Sequence, residues 1–156
     1  MKVKATGMDD TLKMLEKMTD DIEPMMKQGV YQGAGVVADT LKGELQSLRT
    51  NDKAPKTGKR LPYPEDKQAL VDKMGIAKIT TGDVVSTKVG FSGYYESKSG
   101  KQVALPKIAN AINAGTSFME AQPFISRTVK KASKSCVEAM QKQVDDSIKK
   151  LGGTRE

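Results

Sequence analysis

Apolar residues recur at spacings of three and four in two long stretches of the chain. Met26, Val30, Ala34, Val37, Leu41, Leu45 and Leu48 form one stripe and predict a helix from about Pro24 to Arg49. Ile125, Val129, Ala132, Cys136, Met140, Val144, Ile148 and Leu151 form the other and predict a helix from Phe124 to Leu151, ended by Gly152–Gly153. A shorter pattern, Leu12, Leu15, Met18 and Ile22, predicts a first helix capped by Asp9 or Asp10. Pro24 marks a restart or a bend near Glu23. Two short helices complete the set. One spans Glu65 to Met74, with Leu70, Val71 and Met74 inward and Gly75 as its stop. The other spans Lys107 to Ala114, opened by Pro106, with Ile108, Ala109 and Ile112 apolar.

Period-two patterning is confined to shorter pieces. Ile76 to Phe91 reads as a hairpin about Gly82–Asp83. A three-residue loop at Thr81–Gly82–Asp83 gathers Ala77, Ile79, Val85, Thr87, Val89 and Phe91 on one side, whereas a two-residue loop mixes the faces, so the former register is expected. Two strands alone are marginal. A third is expected from Lys2–Thr6, where Val3 and Ala5 share a face, or from a segment near Gln102 to Leu105. Together these elements predict one α+β domain over residues 1–156: a small antiparallel sheet packed by two long amphipathic helices, with shorter helices around it.

Interruptions to the pattern carry their own information. Gly29, Gly33 and Gly35 lie within the first stripe, each costing about 1 kcal/mol of helix propensity against Ala. Glycines there indicate either a backbone passing close by or a bend. Thr50 to Pro64 holds Pro55, Pro62, Pro64 and Gly58 and reads as a long mobile loop. Ser92 to Lys101 reads as a polar loop whose Tyr94 and Tyr95 are either interface anchors or covers for the sheet edge.

The least generic stretch is Gly115 to Phe124, GTSFMEAQPF, between the short apolar helix and the last long one. Gly115 stands where a helix stops and can take positive φ. Thr116 and Ser117 can bond nearby backbone as the chain turns. Gln122, before a proline, is pushed to extended geometry, and Pro123 presets the first turn of a new helix. Phe124 is one of three phenylalanines and is expected to pin this corner to the core or to a partner. Gly115, Thr116, Ser117, Ala121, Gln122, Pro123 and Phe124 are therefore the candidate contact residues of the corner.

Composition narrows the chemistry. A chain of 156 residues buries roughly two-thirds of its unfolded surface and needs no disulfide or metal to fold. Aromatics make up only 4%, so the core rests on Val, Ile, Leu and Met; nine Met residues suit an adaptable core or contact surface. Cys136 is the sole cysteine and falls on an apolar stripe, as a small hydrophobe would. With no His, the commonest general base and metal ligand is missing. The acidic pairs Asp9–Asp10, Asp20–Asp21 and Asp145–Asp146 are adjacent and diverge on a helix, so none makes a carboxylate dyad. Gly100–Lys101 and Gly58–Lys59–Arg60 lack the spacing and hydroxyl of a phosphate loop. Neither an enzyme nor a cofactor is expected. The N-terminal MKVKATGMDD lacks the apolar core of a signal peptide, and no apolar run approaches a membrane span, so a soluble intracellular product is expected.

The net charge of +7 is unevenly placed. Arg49 to Arg60 carries +4 through Arg49, Lys53, Lys56, Lys59 and Arg60 against Asp52. Arg127 to Lys150 carries +4 from seven basic and three acidic residues, while the first 28 residues hold five basic and six acidic. Lys53, Lys56, Lys59 and Arg60 mark the basic loop at 50–64. Such zones suit phosphate or an acidic protein surface. Without interleaved aromatics they do not indicate base stacking.

Ile108–Ala109, Ile112, Gly115–Thr116–Ser117 and Ala121–Gln122–Pro123–Phe124, leading into a long helix, resemble the small head–tail joining or tail-completion proteins of long-tailed phages, also called minor tail components. The Val37 to Arg49 helix and the strand ending Val89–Gly90 fall in the same order. The resemblance implies a structural protein of a phage or prophage virion that assembles as a ring at the head-proximal end of the tail. It implies as partners its own copies and the neck, connector and tail-tube proteins, with assembly in the host bacterial cytoplasm. The charge alone supports a second reading, a small basic protein that contacts nucleic acid nonspecifically.

Overall fold

The computed structural model describes residues 8–53 and 55–152. The fold is α+β: α1 (Met8–Gln46), α2 (Pro64–Asp72), β1 (Met74–Ile76), β2 (Val89–Phe91), β3 (Tyr94–Glu96), β4 (Gln102–Ala104), α3 (Leu105–Ala114) and α4 (Phe124–Gly152). The expected Lys2–Thr6 strand lies outside the described residues, as do the side chains of Leu12, Leu15 and Met18.

The two helices expected on either side of Pro24 are one unbroken helix, α1, which starts at Met8, ahead of the anticipated caps Asp9 and Asp10. Pro24 removes one N–H and one intrahelical bond. It stands on an exposed stretch with Asp20 and Glu23, where water can solvate the freed carbonyl, and the helix continues. Its C-terminal end is Gln46 rather than Arg49; a Leu48 N–H to Leu45 carbonyl bond of 3.1 Å closes the last turn.

α1 and α4 run antiparallel in a long seam, because Gly29 faces Val144, Gly33 faces Met140 and Cys136, and Glu44 meets Arg127 and Lys131. Of the two explanations for the glycines, close approach of α4 holds at two positions, though the nearest atoms are side chains rather than backbone. A Cβ on Gly33 would lie 2.5 Å from Met140 Cγ and 3.0 Å from Cys136 Sγ, and one on Gly29 would lie 3.2 Å from Val144 Cγ2. A Cβ on Gly35 would meet nothing.

The core gathers where the C-terminal half of α1 meets α2, α3 and the start of α4. Leu41, Leu45, Leu48, Leu70, Leu105, Ala109, Ile112, Met119 and Phe124 are buried together, with Met74, Val89, Phe91 and Tyr95 packed against them. The predicted α1 stripe is buried at this end, stays covered through Ala34 and loses its cover toward the N-terminus. Ile22 and Met26 are 49% and 45% exposed, although they continue the line of Leu41 and Leu45. On α4 the buried line is Phe124, Thr128 and Ala132; Ile125 and Val129, expected inward, are exposed because they point toward Pro106 and the open side of β2. At the other end of α4, Ile148 is exposed as well.

The sheet differs from the single three-stranded one expected. There are two separate two-stranded antiparallel sheets, β1–β2 and β3–β4. In the first, Met74 pairs with Phe91 and Ile76 with Val89, so Met74 and Ile76 share the covered face with Val89 and Phe91 and Ala77 is exposed, while Ile79, beyond the register shift, is half-buried beside Lys27 and Tyr31 of α1 as expected. The register shifts by one at the Thr80–Ser86 bridge, leaving a five-residue tip at 81–85 in place of the three-residue loop. The expected polar loop Ser92–Lys101 is instead a hairpin: Tyr94–Glu96 pairs with Gln102–Ala104, and Gly100, at φ +73°, turns it. α2 ends at Asp72, short of the expected Met74, because Met74–Gly75–Ile76 leaves the helix for β1. Among the described residues, no helix is long and apolar enough to cross a membrane.

Candidate functional site

The corner is built from its own sequence upward. α3 ends at Gly115, whose φ of +75° favours glycine. A Cβ there would also sit 3.0 Å from the Ala121 backbone N, so the returning chain leaves no room for a side chain. Between these two residues Thr116 organises a tight turn. Its N–H donates to the Met119 carbonyl at 2.9 Å, and its Oγ1 accepts from the N–H groups of Met119 and Phe118 at 3.0 and 3.3 Å. Ser117 is exposed at the tip. The turn sends neighbouring side chains in opposite directions: Met119 is 1% exposed and Phe118 is 58% exposed.

Gln122 is the polar anchor of the return. Its side-chain Nε2 donates to the Arg49 carbonyl at 2.9 Å, its Oε1 accepts from the Arg49 N–H at 3.0 Å, and its backbone N–H donates to the Ile112 carbonyl at 2.8 Å. The amide thereby satisfies both backbone groups of Arg49, three residues past the end of α1. Pro123 and Ala121 are exposed, and Phe124 is fully buried, edge-on to Phe91 with ring centres 6.2 Å apart. Of the two alternatives for Phe124, it pins the corner to the core. The N-terminus of α4 receives its cap from Asn113, whose Oδ1 accepts from the Ile125 N–H at 3.0 Å.

The basic loop and the corner, separate in sequence, form one surface. Arg60 makes a parallel bridge with Met119: its N–H donates to the Phe118 carbonyl at 2.8 Å, and its carbonyl accepts from the Glu120 N–H at 2.9 Å. At the other end of the loop Arg49 pairs with Glu120 at 2.5 Å, and the Asn51 N–H donates to the Pro62 carbonyl. Pro62 itself is fully buried. Arg60 is not a free loop cation. Its guanidinium lies 4.5 Å from the Tyr63 ring centre and 5.8 Å from that of Phe118, with Asp66 3.9 Å away. Lys53, Lys56 and Lys59 are exposed and make no ion pair among the described residues.

Two buried carboxylates frame this end, and the sequence reading found neither. Glu44 stands on the apolar side of α1, 6% exposed, clamped by Arg127 Nε at 2.7 Å and Lys131 Nζ at 2.5 Å. The Lys131 and Arg127 donors hold its carboxyl below the ordinary 4.5. An acidic residue amid Leu41, Leu45 and Leu48 was a visible signal, as was the basic pair four apart on α4. Asp66, in the first turn of α2, accepts from the Tyr63 N–H at 3.1 Å and from the Tyr95 hydroxyl. Burial raises its carboxyl above 3.8, against the opposing pull of the Tyr63 N–H and Arg60. Tyr95 is thus an internal brace between β3 and α2, while Tyr94 is exposed.

What the arrangement can do follows from its satisfaction. Thr116 and Gln122 are spent on backbone groups of the corner and of Arg49, Glu120 on the Arg49 side chain, and what the corner offers outward is the Phe118 ring. The chain matches no family model, no curated protein and no solved structure.

Proposed function

We propose that the chain is a structural assembly subunit of a phage or prophage virion, completing the tail or joining head to tail as part of a ring. Its partners in this reading are copies of itself and the neck, connector and tail-tube proteins; it works in the virion after assembly in the host cytoplasm. It uses no cofactor and performs no chemistry; its mechanism is interface energetics. The observation that carries the reading is the pairing of a rigid interior with an outward apolar anchor. Thr116, Gln122 and Phe124 lock the corner from within, while Phe118 projects beside Arg60, at the end of the loop that carries the exposed Lys53, Lys56 and Lys59. A preorganised turn presenting an aromatic side chain loses little freedom on docking.

The test is mass in solution by light scattering across a concentration series at moderate salt. The expected result is a concentration-dependent rise toward a closed oligomer, with a steeper rise when a purified neck or tail-tube protein is added. A mass that never leaves the monomer, with or without those proteins, counts against it. The exposed Lys53, Lys56 and Lys59, together with Lys130 and Lys134 on α4, favour nucleic-acid contact as the second reading. Duplex binding that falls steeply with salt would carry that reading, and absence of binding at low salt would remove it.

A further inference from the structure

Two cations of the molecule converge on one cleft instead of standing on open surface. The cleft holds about 350 Å³ and lies between the start of α2, the β3–β4 hairpin and α3. Its charged lining residues are Arg60, Lys98 and Asp66. Arg60 is fixed there twice over. Its backbone is held by the bridge to Met119, and its guanidinium, on a side chain only 21% exposed, lies 4.5 Å from the Tyr63 ring centre. Lys98 reaches the same ring from the hairpin turn. Its Nζ is 4.9 Å from the ring centre and donates to the Asp52 carbonyl at 3.1 Å. Ser97 and Ser99 of that turn share one hydroxyl–hydroxyl bond of 3.0 Å, which uses one of their two protons and leaves the other. Val103 and Ile108 add an apolar part to the lining.

We propose that this cleft binds the phosphate group of a phosphate ester, with Arg60 and Lys98 as its cationic donors and a serine hydroxyl at its rim. The balance of donors and acceptors carries the inference. Asp66, the one acid in the lining, is already occupied: its Oδ1 accepts from the Tyr95 hydroxyl and its Oδ2 from the Tyr63 N–H at 3.1 Å. It stands 3.9 Å from Arg60 Nη1, too far for a hydrogen bond. Of the guanidinium donors, one meets an acceptor among the described residues, the Leu61 carbonyl at 3.2 Å. Lys98 has no carboxylate partner among the described residues. Two cations at 4.5 and 4.9 Å from one ring centre repel each other, and an anion held by both would offset that repulsion. Glu65 and Glu96 adjoin lining residues in the sequence, but so do Lys59, Lys67 and Lys107, so the surroundings do not reverse the sign. A phosphate suits this donor set better than a carboxylate, because its terminal oxygens can face a guanidinium fork, an ammonium and a hydroxyl at once. The volume beside Val103 and Ile108 leaves room for the organic part of the ester. The inference does not rest on the assembly reading, since a bound phosphate neither requires nor excludes association of subunits.

Titrations of the full chain, followed through the backbone amide signals of an isotope-labelled sample, test it. The probes are inorganic phosphate, a nucleoside monophosphate and a DNA duplex, with the unphosphorylated nucleoside as control. The expected result is a saturable shift of the Tyr63 signal and of Ser97 to Gly100, absent with the nucleoside. Lys98→Ala, at an exposed side chain, is expected to retain the fold and weaken binding about tenfold. Arg60→Lys, which keeps the charge and removes the fork, is expected to weaken it by about as much. Lys53→Ala with Lys56→Ala removes two charges from the open loop and is expected to change binding less than about twofold. Saturation by the nucleoside monophosphate identifies a free phosphate ester as the ligand. Shifts with the duplex alone identify a phosphate of the nucleic-acid backbone, and either result carries the inference. Two outcomes overturn it. If no probe moves the Ser97–Gly100 signals, the cleft takes no phosphate. If the loop pair and Lys98→Ala weaken binding equally, the attraction belongs to the charge of the whole chain and not to this site. Both outcomes leave the light-scattering result, and with it the assembly reading, unaffected.

Discussion

The same helical stripe has two fates in this molecule. At the corner end of α1, Leu41, Leu45 and Leu48 are 5%, 0% and 3% exposed; at the far end, Ile22 and Met26 are about half exposed. Spacing alone does not separate these groups. What separates them is the number of elements that arrive to cover the face. The corner end receives α2, α3, β2, the start of α4 and the Met119 turn, whereas the far end receives only the last turns of α4 and a hairpin tip. A period-3.6 pattern states which face of a helix avoids water. It does not state whether the same chain supplies the cover. The covered half is therefore expected to carry the stability, and the uncovered half the capacity for contact.

The sharpest way to break that division is a pair of truncations. Phe124→Ala removes a fully buried ring packed on Phe91, and a loss of about 3–5 kcal/mol is expected in urea denaturation. Ile22→Ala with Met26→Ala removes more side chains but little buried area, and together they should lose less than the single corner change. Equal losses from the two ends would mean that the far end is covered within the monomer. Gln122→Ala sharpens the same contrast at a polar position. It leaves the Arg49 N–H and carbonyl without their partner amide, for an expected loss of about 1–3 kcal/mol.

The buried carboxylates divide by sign rather than size. Glu44 has its folded value below 4.5, so its contribution is fully present above about that pH and is lost as pH falls through the lowered value. Asp66 has its folded value above 3.8, so its ionised form opposes folding, and acidification through the raised value favours the native state. Denaturation midpoints followed from neutral pH into acid should therefore move in opposite ways in two variants. Glu44→Gln lowers stability at neutral pH and flattens the acid loss, because no clamp remains to be titrated. Asp66→Asn removes the opposing contribution and leaves the acid loss steeper.

How much of this was legible depends on the range of the interaction. The long helical faces and the GTS and AQPF corner follow from local rules, apolar spacing and glycine at a positive φ, whereas the continuity of α1 through Pro24 did not, and Phe124 was legible only as an anchor to the core or to a partner. The close approach at Gly29 and Gly33 was visible as one of two alternatives because glycine within a good stripe costs propensity. The joining of Arg60 to Met119 was not visible, since a parallel bridge between segments some sixty residues apart leaves no periodic mark. The hairpin register failed for a related reason. Its tip bears few large apolar residues, so alternation within 77–87 did not fix which face would meet α1, and the pairing was decided at Met74 and Phe91. Asn113 capping α4 from twelve residues upstream belongs with these. The outward Phe118 and inward Met119 separate only once the Thr116 turn is known.

The smallest expected effects lie in the seam between the two ends, where one substitution should change sign over two residues. Gly33→Ala gains about 1 kcal/mol of helix propensity but sets a methyl 2.5 Å from Met140 Cγ, and overpacking costs about 1–3 kcal/mol. The expected net is a loss of up to about 2 kcal/mol, relieved by trimming Met140 to Ala in the same chain. Gly35→Ala meets no atom within 4 Å, so only the propensity gain remains, and a rise of about 0.4–1 kcal/mol is expected. Thermal or urea midpoints of the two single variants suffice to decide. If both rise, the seam can open to admit a methyl, and the glycines are not there for close approach. If both fall, α1 needs glycine flexibility at this level, which restores the bend as their explanation. Opposite signs place the constraint on Gly33 alone, where α4 lies against the helix that spans the covered and uncovered ends.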